Sequence, residues 1–320
     1  MDRREFLKGA SLAGLAATGG CASSAGAPMV NYGWRASDGT FRISGLGLSE
    51  PLRVFVIGDT HMAEHDARDA AYADNYARVA QWPTPPKVLA DALARAKAAK
   101  ADLVLLAGDI ISCPTLKNVE TLTRLLDESG LKWRYVAGNH DWHFEGLPGS
   151  DEAQRAEWIP KRLAPLYHGE DPFCHSCVVK GVRFVAIDNS IYHVNARQLA
   201  FWKQEAAKGD PLVLFMHIPL HLPEWSGPQW EGSLELFSCG SPVWGAKTDP
   251  YWQIERRERW AERQSETTFA FRDAVLSTPN LAAVFTGHIH ETLVGFHNGK
   301  GFFSVAKTRS AKDVFDVTFT

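Results

Sequence analysis

Short apolar runs rich in Val, Ile and Leu recur along the chain: Leu52 to Ile57, Leu103 to Ala107, Trp133 to Ala137, Val182 to Ile187, Leu212 to Met216 and Leu281 to Phe285. Their apolar character is continuous rather than alternating, which predicts strands buried on both faces. Between them, Val88 to Ala99 and Leu116 to Leu126 repeat apolar residues at three and four positions, the period of an amphipathic helix. Strand, helix, strand in succession predicts an α/β fold with a largely parallel sheet. Other segments break that rule. Phe41 to Leu48 alternates and predicts an edge strand, and Lys180-Gly181 predicts a hairpin turn between Val178-Val179 and Val182. Segments near Thr292 to Phe296, Phe302 to Val305 and Val314 to Phe319 predict an antiparallel meander. The pattern therefore predicts a mixed sheet or two stacked sheets.

Two stretches interrupt the rhythm and read as insertions or lids. One covers about 63–86. The other covers about 221–265 and carries Trp225, Trp230, Trp244, Trp252 and Trp260 among Gly and Pro. Its Arg256, Arg257, Arg259 and Arg263, interleaved with Glu255, Glu258, Glu262 and Glu266, read as a solvated helix of mixed charge. The first 28 residues have another character. Arg3-Arg4 precedes Phe6-Leu7-Lys8 and a short small-residue run from Leu12 to Ala17, too short to span a bilayer. This resembles a twin-arginine signal, the address read by the machinery that exports folded proteins. It implies a periplasmic or cell-envelope location. Two readings of its cleavage remain open: Thr18-Gly19-Gly20-Cys21 resembles a lipoprotein box, which would place a lipid anchor on Cys21, and Ala25-Gly26-Ala27 resembles a soluble-protein site. The organisation predicted is a signal and linker over 1–28 and a single domain over 29–320.

A formal net charge of -3 excludes a global positive field, so no nucleic-acid partner is expected. Besides Cys21 the chain has Cys113, Cys174, Cys177 and Cys239. No second Cys pair follows Cys174 and Cys177 at zinc-finger spacing, leaving a local disulfide or two free thiols.

The candidate chemistry lies where the predicted strands stop. Asp59-Thr60-His61, Gly108-Asp109, Gly138-Asn139-His140-Asp141, His217 and Gly287-His288-Ile289-His290 each follow an apolar run. Loops at the carboxyl ends of parallel strands converge on one crevice. Carboxylates and imidazoles gathered there need cations to neutralise and orient them. Mixed nitrogen and oxygen donors suit Zn, Mn or Fe, and Asp109, with two oxygens, can bridge two ions. Alternate residues of a strand share a face, which would aim His288 and His290 the same way.

These five blocks, in this order, resemble the calcineurin-like metallophosphoesterase family, with its Gly-Asp-x-His, Gly-Asp, Gly-Asn-His-Asp, lone His and Gly-His-x-His. The resemblance implies a four-layer α/β/β/α sandwich of two stacked mixed sheets flanked by helices. It further implies that Asp59, His61 and His290 hold one divalent metal, that Asn139, His217 and His288 hold a second, and that Asp109 bridges them. His140 would then be the catalytic acid, off the metals, with Asp141 orienting its ring. The activity implied is hydrolysis of a small-molecule phosphate mono- or diester by a metal-bridging hydroxide. Ser112 stands where many members carry Asp or Arg. It also replaces the Tyr ligand of purple acid phosphatases, which disfavours that subgroup. The reading from another class is a non-catalytic metal-binding interaction module on the same fold. His65, His143 and His221 lie near the motif loops, within reach of a substrate; His168, His175, His193 and His297 read as structural or exposed.

Overall fold

The computed structural model describes residues 33–37, 39–80, 83–225, 238–242 and 264–320. The export signal, Cys21, the charged segment 255–263 and Trp230, Trp244, Trp252 and Trp260 lie outside the described residues.

Twelve strands form two six-stranded sheets among these residues. The first contains β1 (Gly33–Ser37), β2 (Thr40–Ser44), β3 (Leu52–Ile57), β4 (Leu103–Ala107), β5 (Trp133–Val136) and β12 (Phe315–Phe319), in the spatial order β1-β2-β12-β3-β4-β5. The second contains β6 (Cys174–Val179), β7 (Val182–Ile187), β8 (Leu212–Phe215), β9 (Leu281–Thr286), β10 (Leu293–His297) and β11 (Lys300–Ser304), in the order β10-β11-β9-β8-β7-β6. Each is mixed. β3, β4 and β5 run parallel in the first sheet, as do β7, β8, β9 and β11 in the second.

The parallel strands are joined through helices. Between β3 and β4 lie α1 (Ala73–Val79) and α2 (Pro86–Ala98); α3 (Leu116–Ser129) joins β4 to β5, and α4 (Asp151–Trp158) follows β5. In the second sheet α5 (Ala196–Ala206) joins β7 to β8 and α6 (Glu266–Ser277) leads into β9. Capping explains several ends. Thr115 accepts a hydrogen bond from Asn118 N–H at the start of α3, and Asn195 and Gln198 form a reciprocal capping box at the start of α5.

Strand alternation divides the core in two. Val54, Val56, Leu103, Leu105 and Ala107 of the first sheet join Phe184, Val213, Phe215, Ala283 and Phe285 of the second in an apolar layer between the sheets. The intervening Phe55, Ile57, Val104 and Leu106 join Leu89, Leu93 and Leu122 from the helices instead. Every residue of β4, β8 and β9 is buried, as the continuous apolar runs require.

Two sequence expectations are corrected. Phe41 to Leu48 is not an edge, because β2 lies between β1 and β12; β1 takes that place. The C-terminal segments do not form a meander. β10 and β11 are a hairpin, but β11 pairs parallel to β9, and β12 crosses to the first sheet and inserts between β2 and β3. Phe315, Val317 and Phe319 are buried among the inter-sheet side chains, so the chain end finds its apolar partners there. The hairpin at Lys180-Gly181 forms as expected, with both residues at positive φ. Cys113, Cys174, Cys177 and Cys239 are free thiols.

Phe303 tests the inter-sheet layer. It stacks on Phe285 at 5.3 Å and meets Phe41 edge-on at 4.9 Å. Phe303→Ala should cost about 3–5 kcal/mol in denaturant unfolding, whereas Val178→Ala, at a residue 50% exposed, should cost under about 0.5 kcal/mol. Equal losses at the two positions would contradict the two-sheet core.

Candidate metal centre

Each carboxyl end of β3, β4, β5, β8 and β9 is followed at once by polar residues. The loops are pressed together. Asp59 N–H donates to Gly108 O at 3.0 Å, His61 N–H to Asp109 O at 2.9 Å, and Gly287 N–H to His217 O at 2.9 Å. There is no space for side chains on the backbone at two crossing points: a Cβ on Gly138 would strike the Asp109 carboxylate, and one on Gly287 would strike that of Asp59. Glycine before each of those ligand blocks is thus a packing requirement.

Asp59, His61, Asp109, His288 and His290 all adopt left-handed backbone angles, with φ between 49° and 73°. The sequence reading placed His288 and His290 on one face by strand alternation, but β9 ends at Thr286. The two rings go to different partners. His290 joins Asp59, His61 and Asp109 in one donor group, while His288 joins His217 and Asp109 in another; within each group the donor atoms lie within 4.8 Å of one another. Asp109 belongs to both.

The donor chemistry fits cations. In the first group His61 Nε2 lies 2.9 Å from His290 Nε2, and His290 Nε2 lies 3.3 Å from Asp59 Oδ1. In the second, His217 Nδ1 lies 2.8 Å from Ala107 O, an acceptor, so that nitrogen carries the hydrogen. Its Nε2, which offers a lone pair once deprotonated, faces three acceptor-bearing groups: Asn139 Oδ1 at 3.1 Å, Asp109 Oδ2 at 3.2 Å and His288 Nδ1 at 3.2 Å. Four lone pairs that converge this closely need a positive charge between them. Asp59 and Asp109 are buried, and no lysine or arginine forms an ion pair with either among the described residues.

Titration follows the same geometry. Burial holds His61 and His288 well below the usual imidazole value, so both rings offer lone pairs at neutral pH. Burial also opposes charge on His217, but Asp109 outweighs it and carries His217 up to about 9. Asp109 remains well below the ordinary carboxylate value despite burial, because His217, His140 and His61 surround it.

His140 belongs to neither donor group. Its ring packs edge-on against His61 at 4.9 Å, its Nδ1 is buried without a hydrogen-bond partner among the described residues, and its backbone N–H donates to Asp109 Oδ1 at 2.8 Å. Burial lowers its pKa, and the Asp109 and Glu145 carboxylates oppose that. The expectation that Asp141 orients this ring is not met. Asp141 accepts from the backbone N–H groups of Gly138 at 2.6 Å, Asp109 at 2.8 Å and Ile111 at 2.9 Å, and so clamps two ligand loops together. Burial and the neighbouring Asp109 raise its pKa to about 7.

Several supporting residues escaped the sequence reading. Tyr192, itself at φ 63°, places its Oη 3.0 Å from His288 Nε2. Asn189 bonds both Ile218 N–H and Ile218 O and so fixes the loop of His217. Both follow β7, whose end carries no motif, and no spacing in the sequence marks them. His143 is buried rather than presented to a substrate, with Nδ1 bonded to Asn139 O and Nε2 3.1 Å from Glu145 Oε2. His221 is buried, and His65 Nε2 lies 3.0 Å from Asp69 O. Ser112 donates to His61 O at 3.2 Å, a structural use of that position.

Comparison with known proteins agrees with this architecture. A dimetal phosphatase from Danio rerio is similar over 82% of this chain and 89% of its own, with a TM-score of 0.50 and 13% identity. A purple acid phosphatase from yellow lupin gives 0.48 at 14% identity over 84% and 46% of the two chains. The phosphopantetheinyl hydrolase of Mycobacterium tuberculosis gives 0.40 at 15% over 82% and 95%. At 13% identity the likeness to the dimetal phosphatase is one of fold. No curated protein sequence matches the chain. The model of one family, calcineurin-like phosphoesterase, matches residues 52–292 and thereby takes in all five ligand-bearing loops. With two mixed sheets flanked by helices and, at their edge, a clustered set of side chains that could hold metal ions, this chain belongs to the calcineurin-like phosphoesterase family.

Proposed function

We propose that the protein hydrolyses phosphate esters at a two-ion centre, with Asp59, His61 and His290 on one ion, Asn139, His217 and His288 on the other, and Asp109 shared. The observation that carries this reading is the membership of Asp109 in both donor groups, since a shared carboxylate is how two cations are held close together. Divalent ions held there would supply Lewis acidity toward phosphoryl oxygens and lower the pKa of water.

The remaining tasks fall to the chain. His140 sits beside the donor groups without joining them, which suits proton donation to the departing ester oxygen. Its backbone N–H ties the same residue to Asp109, so acid and bridge hold a fixed relation. Asp141 keeps the β4 and β5 loops in register. Tyr192 holds His288 through Nε2, leaving Nδ1, the atom nearest His217, as donor.

Removing the shared ligand should abolish turnover. Asp109→Asn is expected to lower bound metal from two ions to one or none by elemental analysis, and to lower hydrolysis of an aryl phosphate at least about 100-fold. Full metal content with full rate in this variant would refute the assignment.

His140→Gln separates chemistry from binding. Both ions should stay, while kcat falls about 100-fold or more. Wild-type kcat in the variant would remove His140 from the mechanism.

A third outcome concerns pH. The proton that Asp109 holds on His217 up to about 9 competes with a cation for the same Nε2 lone pair. His61 and His288 are neutral already and release nothing. Ion binding at pH 7.5 should therefore release on the order of one proton and tighten as pH rises toward 9. Calorimetry in buffers of differing ionisation enthalpy measures this; zero proton release would show that His217 is not a ligand.

A further inference from the structure

The loop after β11 reaches the centre from a side that no motif marks. Thr308 is buried, and both its N–H, at 3.3 Å, and its Oγ1, at 2.8 Å, donate to Gly58 O. Val305 N–H donates to Thr286 O at 2.8 Å, and its side chain occupies the space that a Cβ on Gly58 would need. Ser304 Oγ donates to Gly287 O at 2.7 Å. The stretch from Ser304 to Thr308 is thus stitched both to the loop of Asp59 and His61 and to that of His288 and His290.

Lys307 lies inside this stitched stretch. It is partly exposed, and its ammonium forms no hydrogen bond or ion pair among the described residues. Asp59 and Asp109 meet imidazoles at 3.2–3.8 Å instead, so the lysine's charge is not spent on either carboxylate. It nonetheless acts across the centre: it lowers the proton affinity of His61 and feels the fields of Asp59 and Asp109. Burial and the neighbouring Arg309 lower its own pKa, and the Asp59 and Asp109 carboxylates oppose that. An unpaired ammonium on a loop stitched to both sides of the candidate metal centre is a place for an anionic part of a substrate.

We propose that Lys307 binds a non-bridging oxygen of the substrate's phosphoryl group and biases the centre toward monoesters, whose phosphate carries one more negative charge than a diester's. The proposal rests on the phosphoesterase reading above. The lysine is a binding and specificity residue and holds no proton that the reaction must move.

The test uses the metal-loaded protein and its Lys307→Met and Lys307→Arg variants. Inorganic phosphate is titrated by calorimetry, and kcat/KM is measured on 4-nitrophenyl phosphate and bis(4-nitrophenyl) phosphate. Lys307→Met should weaken phosphate binding about tenfold and lower monoester kcat/KM by a similar factor, as for loss of a hydrogen bond to a charged group. The diester should lose less than about threefold, Lys307→Arg should recover most of both properties, and metal content should be unchanged. Unaltered phosphate affinity in Lys307→Met, equal losses on the two esters, or loss of metal would each overturn the proposal. A parent protein inactive on both esters would refute the phosphoesterase reading alone, because the phosphate titration requires no turnover; a parent that binds no phosphate would refute the lysine's role as well.

Discussion

One carboxylate holds the two halves of the site together. Asp109 leaves the end of β4 in the first sheet, yet its Oδ2 lies 3.2 Å from His217 Nε2, at the end of β8 in the second. Its Oδ1 accepts from His140 N–H of the β5 loop, and its own N–H donates to Asp141 of that loop. Sheet spacing therefore sets the donor spacing. A change in the apolar layer between the sheets that moved them apart would move His217 and His288 away from Asp59 and His61 before it disturbed any ligand directly. The aromatic rings of that layer, Phe285, Phe303, Phe41 and Phe315, thus contribute to the geometry of the centre as well as to stability.

Such a centre is expensive to fold. Five of the candidate ligands hold left-handed backbone angles, each costing about 1–2 kcal/mol relative to the right-handed region. Two buried carboxylates and several rings with converging lone pairs add repulsion that only cations or protons relieve. What resists this is the doubly buried sheet pair, with β4, β8 and β9 covered on both faces. Close passage of the loops adds a second restraint, since Gly138 and Gly287 let backbone lie directly against ligand carboxylates. The strain sits at strand ends, where the ladder hydrogen bonds have stopped and left-handed angles break no pairing.

The parts that were legible in the sequence are those governed by local pattern. Leu52–Ile57, Leu103–Ala107 and Val182–Ile187 were readable to the residue, because continuous burial leaves continuous apolar runs. The clustering of Asp59, His61, Asp109, His217, His288 and His290 was readable because these residue types recur in five blocks at predicted strand ends. Long-range pairing was not readable: nothing in Val314 to Phe319 says that it inserts between β2 and β3 rather than beside β11. α4, α5 and α6 were missed because their apolar residues are interleaved with buried polar ones such as Gln154, Gln198 and Thr268. Asp141 was misread for a related reason. A carboxylate next to a catalytic histidine suggests an orienting partner, but three unpaired backbone N–H groups on two loops made a stronger claim on its oxygens.

The same crevice gives four neighbouring imidazoles three different characters, and position relative to Asp109 decides which. His217, with Nδ1 fixed by Ala107 O and Nε2 against Asp109, is driven toward the charged form despite complete burial. Burial holds His61 and His288 neutral, and the rings they face at 2.9 Å and 3.2 Å add to the effect. His140 touches Asp109 only through its backbone, and its ring answers to burial on one side and to Asp109 and Glu145 on the other. A ring that needed a cation to be stable could not also release and recover a proton in each turnover. His140 stands outside both donor groups with its ring edge-on to His61 at 4.9 Å, the separation that the proposed division between proton transfer and ion binding requires.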